Sequence, residues 1–289
     1  MRKLLALLFF TITLGMAQGA YAGALEDGHA SYTRGDYATA VSLYRLASDQ
    51  GNAKAQNNLG VMYNNGQGVV QDYKEAVKWW RLAAAQGNAW AQNNLGIMYH
   101  YGQGVVQDHK EAVKWYRLAA DQGVAEAQYY LGTMYRNGEG VPKDAKEAAR
   151  LFGLAATQGN AGAQNSLGLM YKDGQGVVLD PKEAVKWYRL AAAQGFDMAQ
   201  SNLGFMYANG QGVVQDHKEA VKWYRLAADQ GNASAQNNLG NMYENAQGVA
   251  QDYKEAVKWY RLSADQGDAL AQINLALMLD MKIDSRTLH

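Results

Sequence analysis

The sequence predicts an all-α chain, a solenoid of helix hairpins repeating every 36 residues. Two observations predict the period. Leu-Gly recurs at Leu59-Gly60, Leu95-Gly96, Leu131-Gly132, Leu167-Gly168, Leu203-Gly204 and Leu239-Gly240, and Gln-Gly recurs in step from Gln50-Gly51 to Gln266-Gly267. A third observation predicts the hairpin. Within one period, Ala55, Leu59, Met62 and Tyr63 share one face of a first helix, A, while Ala76, Trp79, Trp80 and Ala83 form one stripe of a second, B.

The elements follow in chain order. Residues 1–22 read as a signal peptide: Arg2 and Lys3 precede an apolar run from Leu4 to Met16, and Ala20-Tyr21-Ala22 offers a small-x-small site with cleavage after Ala22. The run falls short of the ~20 residues that cross a bilayer, so the expectation is an exported chain, periplasmic or secreted, without stable membrane insertion. A single solenoid domain, 23–289, should follow, opening with a cap at 24–51.

Six full units come next, over 52–267. In the first, helix A ends at Asn65-Gly66-Gln67-Gly68, whose glycines reach positive φ, and Val69 tucks under the turn. Asp72 with Glu75 has capping-box spacing at the start of helix B, and it recurs as Asp108/Glu111, Asp144/Glu147, Asp180/Glu183, Asp216/Glu219 and Asp252/Glu255. Pro181 suits a first helical position, and Gly87 sits where a left-handed cap ends helix B. Gly60 costs helix stability, so its recurrence in six units predicts a close helix–helix approach. Residues 124–159 should be irregular, because Leu151-Phe152-Gly153 replaces Trp-Tyr-Arg in helix B. A final capping helix, 268–281, and a tail, 282–289, complete the chain.

The pattern Ala-x-Ala-Gln-x-Asn-Leu-Gly-x-Met-Tyr-x-x-Gly-Gln-Gly-Val-x-x-Asp-x-x-Glu-Ala-x-x-Trp-Tyr-x-x-Ala-Ala-x-Gln-Gly closely resembles the Sel-one-like repeat, a relative of the tetratricopeptide repeat. Upstream, Gly28, Tyr32, Gly35-Asp36-Tyr37, Ala40, Tyr44 and Ala47 look like a tetratricopeptide unit with a short turn. The resemblance implies a right-handed α/α superhelix whose concave face, lined by A helices, holds a peptide or protein. It implies one alternative as well: an envelope hydrolase of the penicillin-binding or β-lactamase type reported for cysteine-rich relatives. This chain has no Cys.

Composition and motifs narrow the chemistry. Without Arg2 and Lys3, a chain of 27 basic and 27 acidic side chains is left with a net charge of −2, which argues against nucleic acid. The lack of Cys excludes disulfides and thiolate metal sites. No hydrolase, zincin, phosphate-loop or dinucleotide motif occurs, so the sequence predicts no catalytic residue, no cofactor and no metal site. The repeated acids read as helix caps, and the Trp/Tyr pairs of helix B read as core. His109 and His217 read as solvated helix starts.

What varies between units is a stripe on helix A, roughly opposite its apolar face. From it we expect the partner-binding residues: Lys54 and Asn57; Trp90, Asn93, Ile97 and His100; Glu126, Tyr129 and Arg136; Lys172; Met198 and Phe205; Asn237 and Asn241. Exposed aromatic and Arg side chains dominate interface energies, which makes Trp90, Tyr129, Arg136 and Phe205 the leading anchors.

Overall fold

Each repeat spells out its own start and stop signals, and the helices obey them. The computed structural model describes residues 23–287, so the expected signal peptide, 1–22, lies outside the described residues. Among the described residues there are fifteen helices and no strand. They fall into two compact units, one up to Lys143 and one from Asp144.

In the first unit the hairpins pair α1 (Ala24–Thr33) with α2 (Tyr37–Asp49), α3 (Ala53–Asn65) with α4 (Tyr73–Ala85), and α5 (Ala89–Tyr101) with α6 (His109–Asp121), followed by α7 (Ala125–Asn137). The second unit opens with α8 (Ala145–Thr157). Its hairpins pair α9 (Ala161–Asp173) with α10 (Pro181–Ala193), α11 (Asp197–Asn209) with α12 (His217–Asp229), and α13 (Ala233–Glu244) with α14 (Tyr253–Ala264), before α15 (Ala269–Thr287). Within each unit every helix packs on its neighbours in sequence.

The caps are half of what the spacing predicts. Asp72 Oδ1 accepts from the backbone N–H groups of Lys74 and Glu75 at 2.9 and 3.0 Å. The reciprocal half of a capping box does not form. The Asp72 N–H donates to the Tyr63 carbonyl at 2.9 Å, which ties helix B to the end of helix A, and Glu75 pairs with Lys78 instead. At the other end Gly66 and Gly87 take φ values of 68° and 86°, as left-handed stops require. The turn at 245–248 lacks the first glycine, so Ala246 holds a φ of 55° and α13 ends one residue early.

The aromatic pair of helix B points two ways. Trp79 reaches back into the cluster of Ala40, Tyr44, Leu59 and Met62, while Trp80 lies across Gly60 and packs with Leu95 and Met98. A Cβ at Gly60 would meet the Trp80 ring at 2.6 Å, and one at Gly96 would meet Tyr116 at 2.5 Å. The close approach expected at these glycines is therefore an aromatic ring laid on the backbone of helix A. Gln-Gly ends of helix B add a ladder that the sequence did not reveal: Gln86, Gln122, Gln194, Gln230 and Gln266 donate to Gln56, Gln92, Gln164, Gln200 and Gln236 at 2.7–2.8 Å.

The expected end of the chain is revised, and the irregular repeat gains a physical reason. The final helix runs to Thr287 rather than stopping at Met281, because residues 282–287 contain neither Gly nor Pro to end it. It buries Ala271 and Met278 but leaves Leu270, Ile273 and Leu277 exposed. Gly153 leaves α8 unbroken, yet a side chain there would meet nothing within 4 Å, so no packing offsets its helix cost. Gly153→Arg, which restores the residue of the other repeats, is expected to stabilise the chain by about 1 kcal/mol. Hydrogen exchange should show α8 opening before its neighbours in the wild type and gaining protection in the variant; unchanged or reduced protection would refute this account.

Candidate functional site

In the first unit, successive A helices bring part of the variable stripe together. Lys54 and Asn57 of α3 and Trp90 of α5 line a groove of about 550 Å³ with Leu25, Glu26 and His29 of α1. Trp90 is 54% exposed, an unusual state for an indole on a packed helix. The contribution of α1 was missed because the stripe was begun at Lys54. Gly28 faces the Tyr44 ring as Gly60 faces Trp80, and this shared register would have placed Leu25 and His29 on the stripe.

Other members of the stripe have different surroundings. Glu126 is exposed, while Ile97, Tyr129 and Arg136 are half-buried, with the Tyr129 ring 5.4 Å from Tyr130. Asn93 is buried, which removes it from any exposed surface. The asparagine column instead links neighbouring A helices: Asn94 donates to Asn57 at 3.3 Å, Asn202 to Asn165 at 2.9 Å, and Asn274 to Asn237 at 3.0 Å. Asn237 is likewise buried, so both it and Asn93 are corrected from binding residues to packing residues. The reason is that adjacent A helices lie side by side and cover one flank of the stripe.

His100 packs against His109, and it is His109 that departs from expectation. His100 is half-buried, with its ring 5.2 Å from His109 and 4.5 Å from Tyr101. Burial lowers its pKa, the neighbouring His109 acts in the same direction, and Glu139 opposes both. His109 is not a solvated helix start: it is half-buried, and its Nδ1 is closed off from solvent without a hydrogen-bond partner.

In the second unit, Phe205 and Met198 of α11 are 39% and 48% exposed. Lys172 lies 5.8 Å from the Phe205 ring centre and 3.5 Å from Asp173, and Asn241 borders a cavity of about 440 Å³ beside Phe205. The repeated features behave as structure. The Asp caps are taken up by backbone donors, the helix B aromatics are packed, and Gln67 accepts from the Tyr32 hydroxyl at 3.2 Å. Among the described residues no helix is long and apolar enough to cross a membrane.

The Sel1 repeat model matches seven times, at residues 15–52, 53–88, 91–124, 125–160, 161–196, 197–232 and 233–268. The first match covers the unit read as tetratricopeptide-like, which is thus of the same kind as the rest despite its short turn at 34–36. The protective antigen c5321 of uropathogenic Escherichia coli, which displays an SLR fold, is 37% identical over 93% of this chain, with a TM-score of 0.70; the chain spans only 66% of that antigen. A Sel1 repeat protein from Oxalobacter formigenes is 34% identical over 83% of this chain and 96% of its own, with a TM-score of 0.77. The APC/C hetero-tetramer Cut9–Hcn1 shares the fold at 14% identity, 84% coverage of this chain and 48% of its own, and a TM-score of 0.52. No curated protein matches the sequence.

Proposed function

Because the chain belongs to the Sel1 repeat family, we propose that it is an exported, non-catalytic scaffold that holds a protein or peptide partner on the exposed stripe of its A helices. Solenoids of this family typically mediate protein–protein interaction, and their members are generally scaffolds rather than enzymes. The envelope-hydrolase alternative finds no support.

One observation carries the choice of face: the groove where three A helices converge under the exposed Trp90. Large apolar side chains held at the surface by rigid helices lose little entropy on binding and have much area left to bury. Lys54 and Glu26 at the groove supply polar complements of both signs. Export rests on the n-region, apolar run and cleavage site of residues 1–22.

The test uses the chain recovered from the envelope or medium of expressing cells, where its intact mass should begin at Gly23. A partner captured on this chain is then titrated against variants by calorimetry. Trp90→Ala and Phe205→Ala are each expected to weaken binding about tenfold without loss of helicity. The competing surface is the turn edge, where Val70 and Val106 are 88% exposed, and Val70→Ala with Val106→Ala should leave affinity unchanged. The reverse pattern would move the site to the turns; a retained residue 1–22 segment would refute cleavage.

A further inference from the structure

Two side chains that depart from the repeat pattern meet at one point in the first unit. His100 stands in a column otherwise filled by Asn64, Arg136, Lys172, Ala208 and Glu244, and Glu139 replaces the glutamine found at Gln67, Gln103, Gln175, Gln211 and Gln247. His100 lies in the last turn of α5 and His109 opens α6. Gly140 rests so closely on the His109 carbonyl that a Cβ there would overlap it, which carries Glu139 of the next repeat to the same place.

Nitrogen atoms of His100 and His109 and a carboxylate oxygen of Glu139 all lie within 4.8 Å of one another. Both Nδ1 atoms are shut off from solvent with no hydrogen-bond partner, an arrangement in which a polar atom loses hydration and gains nothing in return. Asn137 Nδ2 donates to Glu139 Oε1 at 2.8 Å and so orients the carboxylate from outside, as outer-shell groups do around metal ligands.

We propose that His100, His109 and Glu139 form a binding site for a divalent transition-metal ion, zinc foremost, between two successive repeats. Two imidazoles and one carboxylate are a common ligand set for such ions and leave coordination positions open for water or a partner's side chain. Metal–ligand bonds of about 2.0–2.2 Å set ligand atoms about 3.4 Å apart in a tetrahedron, so small side-chain rotations close the site from its present spacing. The second unit supplies an internal contrast. His217 occupies the same place at the start of α12, but Ala208 and Gln247 stand in for the other two ligands, and a cavity takes the place of the cluster. His217 Nδ1 is unpartnered too, so the isolated orphan nitrogen belongs to the helix start, whereas the convergence of three donors belongs to His100, His109 and Glu139.

The experiment titrates the purified, untagged chain, stripped of metal, with zinc chloride by calorimetry and with cobalt(II) by visible absorption. One ion per chain is expected, with d–d bands of low-coordinate cobalt. Since changes in the outer shell alone weaken metal sites about 10–100-fold, Glu139→Gln and His100→Ala should each weaken binding about a hundredfold or more. Glu139→Gln restores the residue of the other turns and should fold normally. His217→Ala should change nothing. The proposal is overturned by an absence of binding, by binding that Glu139→Gln leaves intact, or by binding that His217→Ala removes.

Discussion

Gly96→Ala is expected to destabilise the chain by about 2 kcal/mol, although alanine is the better helix former. Two effects of opposite sign decide the outcome. In an exposed helix the exchange would gain about 1 kcal/mol. Here the new Cβ would lie 2.5 Å from Tyr116 Cδ1 and 2.6 Å from Cε1. The ring has no room to withdraw: Tyr116 is fully buried and stacks on Tyr130 with centroids 5.3 Å apart. Overpacking a filled core costs typically 1–3 kcal/mol and at times more, and a ring pinned on both faces belongs at the upper end. Chemical denaturation measures the loss, and Tyr116→Leu in the same chain should recover part of it, a coupling that contact between the two sites requires. A Gly96→Ala variant as stable as the wild type would overturn the packing account. The contrast with Gly153→Arg makes the argument sharper, because there open space lets helix propensity act alone.

Gln236→Leu is expected to cost a similar amount, about 2 kcal/mol. Gln236 is 4% exposed and works in two directions: its Nε2 donates to the Ala228 carbonyl at 3.1 Å, and its Oε1 accepts from Gln266 Nε2 at 2.8 Å. Leucine keeps the bulk and removes both bonds, each worth about 0.5–1.5 kcal/mol net, and leaves their partners facing an apolar group. These two bonds tie α13 to α12 and to the turn that follows α14, so the loss should appear as reduced cooperativity across those helices as well as a lower midpoint. Adding Gln266→Leu should cost less than its own single change, since the amide it removes has already lost this partner. Strict additivity of the two changes would show that the ladder contributes nothing as a pair.

Much of the candidate surface was legible before any fold was known, and the part that was not has a common cause. Trp90, Met198 and Phe205 sit at helical spacing opposite the Ala-Leu-Met face, and all three are exposed. Asn93 and Asn237 have the same spacing and are buried. Helical periodicity assigns a side of one cylinder; it does not say how far the next cylinder overlaps that side. The same limit hid the capping acids' true partners, since the Asp72 N–H turns to Tyr63 on the preceding helix rather than to Glu75.

By itself the sequence determined the all-helical class, the 36-residue period, the glycine stops and aspartate starts of the helices, and the membership of the core columns. These are local properties: backbone conformation, capping and side-chain periodicity act within one turn or one hairpin, and seven family matches repeat them along the chain. Only the tertiary structure decided which ring lies on which glycine, that the Gln columns join into a ladder, and that His100, His109 and Glu139 converge. Each of those depends on contact between helices of one repeat or of neighbouring repeats. Such contact is set by packing distance and angle, which a pattern along the chain does not encode.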